Sequence, residues 1–238
     1  MKNKMENIKN VFITGSRKGI GLHLTKYFLE LGHNVLGCSR SKSEFEHKNY
    51  KHFCCDVGDE KDVINTLRKA KKVFGTIDIL INNAGVASLN HSLLTPGRAV
   101  KTIFKTNFAG SFFFSRECAK IMIQGKKGGR IVNFTTVASP LDLEGEMIYA
   151  SSKAAVEKMT RIMARELAPY NITVNAIGPT PIDTDLTKTV SKIKMNELIE
   201  KQAIKRFGEF KDVENVIDFF TRENSNFITG QILYLGGI

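Results

Sequence analysis

Asn10-Val11-Phe12-Ile13-Thr14-Gly15-Ser16-Arg17-Lys18-Gly19-Ile20-Gly21 is the stretch on which the reading of this chain turns. Its first five residues make a short apolar run ended by a turn, which predicts a buried strand. Leu22-His23-Leu24-Thr25-Lys26-Tyr27-Phe28-Leu29-Glu30-Leu31 follows with amphipathic helical spacing, and Gly32 fits a helix C-cap. Strand, glycine-rich turn and helix in that order are the setting a dinucleotide-binding loop requires. The glycines allow a tight turn and close backbone approach to a pyrophosphate. The helix N-terminus faces that group with free N–H groups and the positive end of its dipole.

The alternation continues on the far side of Gly32. Asn34-Val35-Leu36-Gly37-Cys38-Ser39, His52-Phe53-Cys54-Cys55 and Ile77-Asp78-Ile79-Leu80-Ile81 read as strands, with a polar helix over residues 60–73. A long helix spans 97–124 and another 149–167. Gly129-Arg130-Ile131-Val132-Asn133-Phe134, Ile172-Thr173-Val174-Asn175-Ala176-Ile177 and Gln231-Ile232-Leu233-Tyr234-Leu235 complete the strands. Strands alternating with helices predict an α/β fold: a doubly wound parallel sheet with helices on both faces and ligands at the carboxyl ends of its strands. With no linker, repeat or low-complexity tract, residues 1–238 are expected to form a single domain.

Composition narrows the class. Charged residues at 25% and hydrophobic ones at 42% describe an ordinary globular protein. The opening seven residues are polar and Val11-Phe12-Ile13 is too short for a signal-peptide core or a membrane span, so a cytoplasmic location without membrane contact is expected. Cys38, Cys54, Cys55 and Cys118 lack C-x-x-C spacing, which predicts buried reduced thiols and no metal site. The net charge of +11 admits nucleic-acid binding in principle. That would need clustered charge with aromatics beside it, whereas lysines here are scattered, as in Lys69-Ala70-Lys71-Lys72, and tryptophan is absent. A solvated lysine-rich surface is the favoured reading, with attraction of anionic cofactors or substrates as a secondary effect.

Tyr149-Ala150-Ser151-Ser152-Lys153 carries the chemistry. In a helix the tyrosine and lysine project from one face. Tyrosine ordinarily ionises near pH ~10, and a nearby ammonium would lower that value towards the range of a general acid/base. The same pair also occurs on solvated helices, so its meaning depends on the motifs around it.

Those motifs resemble the short-chain dehydrogenase/reductase family over nearly the whole chain. Thr14-Gly15-x-x-x-Gly19-x-Gly21, Asp56-Val57, Asn82-Asn83-Ala84-Gly85, Asn107 and Tyr149-x-x-x-Lys153 occur in the family's order. The resemblance implies a Rossmann fold, with Gly15, Ser16, Arg17, Lys18, Gly19, Ile20 and Gly21 as the phosphate loop. Asp56 and Val57 would sit by the adenine, and Asn83, Ala84 and Gly85 would line the cofactor crevice. Pro179, Ile182 and Thr184 would complete the cofactor set. Tyr149 would be the proton donor, Lys153 would also hold the nicotinamide ribose, and Asn107 would link Lys153 to solvent or serve as a structural amide in the long helix. At the family's catalytic serine stands Thr136, which keeps the hydroxyl but adds a methyl and a stiffer χ1.

Cofactor choice follows from the end of the second strand. NAD-preferring relatives carry a carboxylate there; this chain has Ser39 and Arg40. Arg40 can stack on adenine and pair with a 2′-phosphate, and Lys18 adds a second cation, so NADP(H) is favoured over NAD(H). Reduction of a carbonyl by hydride transfer is the implied reaction. Residues 137–148 and 179–186 should form the substrate pocket, the second as a mobile lid. Their carboxylates, Asp142, Glu144, Glu146, Asp183 and Asp185, are either contacts for a polar substrate or solvated loop charges.

Three functional readings stay open: a carbonyl reductase of unspecified small-molecule substrate, a 3-oxoacyl-carrier-protein reductase, and an NADP(H)-binding sensor without turnover. Arg130 and the positive charge suit an acidic carrier, although Tyr170 stands where such reductases often carry a basic docking residue. A homotetramer, or failing that a homodimer, is expected through the long helices, with Phe112, Phe113, Met159 and Met163 as contact or core residues.

Overall fold

Phe12 and its neighbours Val11 and Ile13 point to opposite sides of one strand, and each side finds its own core. In the computed structural model, which describes residues 8–184, 187 and 190–238, all strands join one parallel sheet. The strands are β1 (Asn10–Thr14), β2 (Asn34–Ser39), β3 (Tyr50–Cys54), β4 (Ile79–Asn82), β5 (Gly129–Phe134), β6 (Ile172–Gly178) and β7 (Ile232–Tyr234). The helices are α1 (Gly19–Glu30), α2 (Glu60–Phe74), α3 (Gly97–Phe104), α4 (Gly110–Gly125), the one-turn α5 (Ala138–Leu141), α6 (Met147–Leu167), α7 (Lys192–Glu200) and α8 (Phe210–Thr221).

The sheet order is β3-β2-β1-β4-β5-β6-β7. Phe12, Leu36, Leu80, Ile131 and Val174 face α2, α4 and α6 through Val63, Leu67, Phe114, Met122 and Val156. On the other side Val11, Ile13, Val35, Ile81 and Val132 meet α1 and α8 through Leu24, Phe28, Val213, Ile217 and Phe220. The order in which strands are added reverses between β1 and β4, where Thr14 pairs with Cys38 on one side and Asn82 on the other. The loops after these strands therefore diverge and leave a crevice at the carboxyl edge.

Several elements differ from the sequence reading, and Cys54, expected to be buried, is exposed at the end of β3. The expected 97–124 helix is split by a π-helical turn, Lys105–Ala109, around buried Asn107. The α-helix resumes at Gly110, where a Cβ would lie 2.8 Å from Val57 Cγ2, so the missing side chain lets the helix pack against Val57. The strand β4 starts at Ile79, since Asp78 turns its carboxylate to accept from the Asn10 N–H at 2.8 Å. Helix α8 was not anticipated, although Glu209 and Asp212 form a capping box ahead of the apolar positions Val213, Ile217 and Phe220. No helix among the described residues is long and apolar enough to cross a membrane.

Candidate active site

The glycine-rich turn is fastened to β2 by hydrogen bonds from the Gly15 and Ser16 N–H groups to Cys38 O, at 2.8 and 3.2 Å. Gly15 has φ +70° and Gly19 φ +56°, both in the left-handed region. A Cβ on Gly21 would lie 2.2 Å from Gly15 O, so the first turn of α1 closes directly on the loop. Across the switch point Asn83 Nδ2 donates to Thr14 O (2.9 Å) and Gly15 O (3.2 Å), while Ala84 N–H donates to Thr14 Oγ1 (3.0 Å). The two loops that flank the crevice are thus one hydrogen-bonded unit.

The resulting cleft has a volume of about 680 Å³. Gly15, Arg17, Lys18, Gly19 and Ile20 form one wall, Ser39 and Arg40 with Asp56 and Val57 the far end, and Asn83, Ala84, Gly85 and Thr184 the floor and exit. Ser16 is a correction: its side chain is buried, bonded to Tyr50 Oη at 3.0 Å and packed against Gly37, so it faces away from the cleft. Asp56 accepts from Lys105 Nζ and from Gly58 N–H, each at 3.0 Å. Burial opposes its ionisation, but these bonds and the Arg40 charge outweigh it and hold the carboxyl below its ordinary range. The cleft fits a dinucleotide phosphate: glycine backbone lines it, a Cβ on Gly19 would reach 3.8 Å from Thr184 Cγ2, and Arg17, Lys18 and Arg40 bring three cations to a lining that also holds Asp56 and Asp183.

A second cavity of about 590 Å³ opens from the cleft through shared residues Ile20, Asn83, Gly85, Ala87 and Thr184. Tyr149 and Lys153, one turn apart on α6, line it together with Thr136, Pro179 and Ile182. Lys153 is only 4% exposed and donates from Nζ to Phe134 O at 2.8 Å. Burial brings its pKa from the ordinary 10.5 down to about 8. Its Nζ lies 6.0 Å from the centre of the Tyr149 ring.

The phenol departs from the sequence expectation. Burial pushes Tyr149 up to about 12; a hydrogen bond with Thr136 pulls it down, and the Glu146 charge pushes it further up. Desolvation and the Glu146 charge thus outweigh the Thr136 hydrogen bond, and at neutral pH the side chain is held in its protonated, donor form. Thr136 Oγ1 also accepts from the Ala138 N–H at 3.2 Å, which fixes the rotamer of a threonine 8% exposed. Ser139 instead hydrogen-bonds Tyr234.

Asn107 takes the structural part foreseen for it. Its Nδ2 donates to Val86 O (2.9 Å) and Ser152 Oγ (3.0 Å), and its Oδ1 accepts from Val86 N–H (2.9 Å). Its main-chain O accepts from Ser111 Oγ at 2.7 Å. A Cβ on Gly85 would stand 3.4 Å from both Asn107 Oδ1 and Lys153 Nζ, so only a glycine separates them.

Sequence reasoning missed Lys105, the partner of Asp56; Ser152, the partner of Asn107; and Glu157, which accepts from Thr135 Oγ1 beside Thr136. Ser152 and Glu157 carried a usable signal, since they sit three and eight residues after Tyr149 on its helix. Asp142, Glu144 and Glu146 border the inner cavity and Asp183 the outer cleft; Asp185 and Leu186 lie outside the described residues. Arg130 and Tyr170 line neither space. Met159 and Met163 are core residues, whereas Phe112 and Phe113 are half-buried with the Arg116 guanidinium 5.4 and 5.7 Å from their ring centres.

Residues 15–237 match a family profile described as enoyl-(acyl carrier protein) reductase. The 3-oxoacyl-[acyl-carrier-protein] reductase FabG of Staphylococcus epidermidis is 29% identical over 239 residues, covering 96% of this chain and 98% of that protein. The structure of ElxO with NADP bound superposes with a TM-score of 0.87 at 30% identity, covering 96% of this chain and 97% of that one. An NAD+-bound xylitol dehydrogenase gives 0.86 at 26% identity, with coverage of 97% and 98%. Motifs in order on a parallel sheet, and likeness to these proteins from end to end, show that the chain belongs to the short-chain dehydrogenase/reductase family of oxidoreductases.

Proposed function

We propose that this chain is an NADP(H)-dependent carbonyl reductase, working as one domain over residues 1–238. The observation that carries the reading is the continuity of the two spaces: the cationic cleft opens onto the chamber holding Thr136, Tyr149 and Lys153. Arg40 and Lys18 would take the 2′-phosphate, Asp56 the adenine edge, and Lys153 the ribose nearest the chemistry. Bound there, the nicotinamide supplies the hydride.

Each protein group then has one task. Thr136 donates its hydroxyl to the substrate carbonyl oxygen and holds that oxygen against Tyr149 Oη. Tyr149 keeps its proton at neutral pH and passes it to the oxygen as negative charge develops there. Lys153, buried behind the ring, stabilises the tyrosinate left behind. Asn107 keeps the Val86 segment and α6 in register, so the chamber stays shaped.

Arg40 in place of a carboxylate supports NADP(H), as does the likeness to ElxO, although the likeness to the xylitol dehydrogenase points to NAD+. A 3-oxoacyl thioester is one carbonyl of the proposed kind, supported by the Staphylococcus epidermidis relative. Assembly as a homotetramer or homodimer would use the half-buried Phe112 and Phe113 of α4. The test is steady-state oxidation of NADPH across ketones, sugars and acyl thioesters, with Tyr149→Phe as control. Wild-type turnover that falls by at least ~10²–10⁴-fold in Tyr149→Phe, with NADPH binding kept, supports the reading. Tight NADPH binding without turnover of any member would favour a sensor instead.

A further inference from the structure

Glu146 stands at the start of α6, three residues before Tyr149 and on the same wall of the chamber. Its backbone is fixed on both sides, by Glu146 N–H to Leu143 O at 3.1 Å and Ala150 N–H to Glu146 O at 2.7 Å. At a helix N-cap a carboxylate ordinarily turns back to accept from the first-turn N–H groups. Glu146 makes no such cap bond. Among the described residues its carboxylate has no hydrogen-bond or ion-pair partner, and it is half-buried. Burial raises its pKa and the Lys194 ammonium lowers it from a distance.

A second polar group in the same wall is also without a partner. Thr180 is 7% exposed, its Oγ1 makes no hydrogen bond among the described residues, and it lines the chamber. Its methyl is the part packed on Gly208, where a Cβ would come within 2.7 Å. Leu89, Leu143, Met195 and Leu198 contribute apolar surface to the same lining, and Lys194 brings a cation to it, its Nζ 3.7 Å from where a Cβ on Gly145 would stand. Polar groups in a partly dry wall cost free energy unless a ligand or water pairs them, and a pocket with an unpaired acceptor discriminates for a ligand that donates.

We propose that Glu146 is a specificity-determining residue that accepts a hydrogen bond from a hydroxyl next to the carbonyl being reduced, so that the substrate is a hydroxy-carbonyl compound. This rests on the carbonyl-reductase reading and narrows it. Glu146 and Tyr149 line the same chamber and the Glu146 charge is felt at the Tyr149 phenol, so with Tyr149 Oη on the carbonyl oxygen a hydroxyl on the adjoining carbon is the substrate donor nearest to Glu146. An acyl thioester offers no donor at that place and would leave the carboxylate unpaired.

The test uses pairs that differ only by hydroxyl against methyl: hydroxyacetone with butanone, and 2-hydroxyacetophenone with propiophenone. The wild type should prefer the hydroxyl member by about tenfold or more in kcat/KM, a gain limited by water's access to a half-buried carboxylate. Glu146→Ala should bring the ratio to within about twofold of one, and Glu146→Gln, which keeps an acceptor oxygen, should retain part of it. Circular dichroism and NADPH titration report whether each variant is folded. Binding of propane-1,2-diol against butan-2-ol, by calorimetry on the protein with NADP+, reads the same preference without turnover. A wild type without preference in both assays, or a preference that survives Glu146→Ala, overturns the proposal. If no carbonyl is reduced yet the diol preference is present and lost in Glu146→Ala, the reductase reading fails while the hydroxyl site stands.

Discussion

Lys153→Met should make the empty protein more stable at neutral pH while removing its activity. The ammonium is buried, and its pKa of about 8 against an ordinary 10.5 means that the fold carries the charge at a cost of about 3 kcal/mol at pH 7. The sign follows from proton counting. Below pH 8 both folded and unfolded chains hold the proton and the whole cost is present. Between 8 and 10.5 the unfolded chain binds more protons, so stability rises with pH, and by pH 10 the cost is about 1 kcal/mol. Methionine also forfeits the 2.8 Å bond to Phe134 O, which costs about 1–3 kcal/mol at either pH because a neutral amine still donates. Net stabilisation at pH 7 is therefore about 0–2 kcal/mol, and the gap between variant and wild type should move by about 2–3 kcal/mol against the variant by pH 10. Urea denaturation of both proteins at pH 7, 8.5 and 10, at one protein concentration, measures this. Stopping at pH 10 stays below the Tyr149 value of about 12. A gap that does not change with pH would refute the buried-cation reasoning, because only proton loss from Lys153 makes it pH-dependent.

Gly21→Ala sets a Cβ 2.2 Å from Gly15 O and 2.6 Å from Asn83 Nδ2, and should cost about 1–3 kcal/mol in urea denaturation along with most NADPH affinity. Arg40→Asp should erode or reverse a preference for NADP(H) over NAD(H) of at least about tenfold, roughly 1.4 kcal/mol by calorimetric titration; equal affinities in the wild type would defeat the assignment. Thr136→Ala should lower turnover while Thr136→Ser keeps or raises it; equal loss in both would mean that the hydroxyl bonded to Tyr149 is not what the reaction uses.

Much of the fold was legible because its signals are local. The run from Asn10 to Gly21 declares strand, turn and helix within one short segment, and apolar spacing repeats that message along the chain. A parallel sheet covered on both faces then follows from alternation, since parallel strands need helical crossovers, whereas the order of the strands came only from the structure. Tyr149 and Lys153 were readable for the same reason, being neighbours on one helical face. The π-helical turn was not, because its cause is an amide reaching Val86 and Ser152 far along the chain.

Spacing together with the family resemblance was enough to single out the loop glycines, Tyr149, Lys153 and Thr136. Only the tertiary structure decided how those groups behave. Ser16 occupies the loop but turns inward to Tyr50, because Gly37 leaves room for it. Tyr149 has a nearby ammonium and yet ionises at a higher pH than usual, because desolvation acts on phenol and lysine together and is set by everything packed around them. Glu146 is one acidic loop residue among several in the sequence, and folding leaves its carboxylate half-buried, without a hydrogen bond among the described residues, in the chamber that Tyr149 also lines. Spacing along a chain determines which side chains can share a face; burial, which sums over distant segments, determines their charge and their partners.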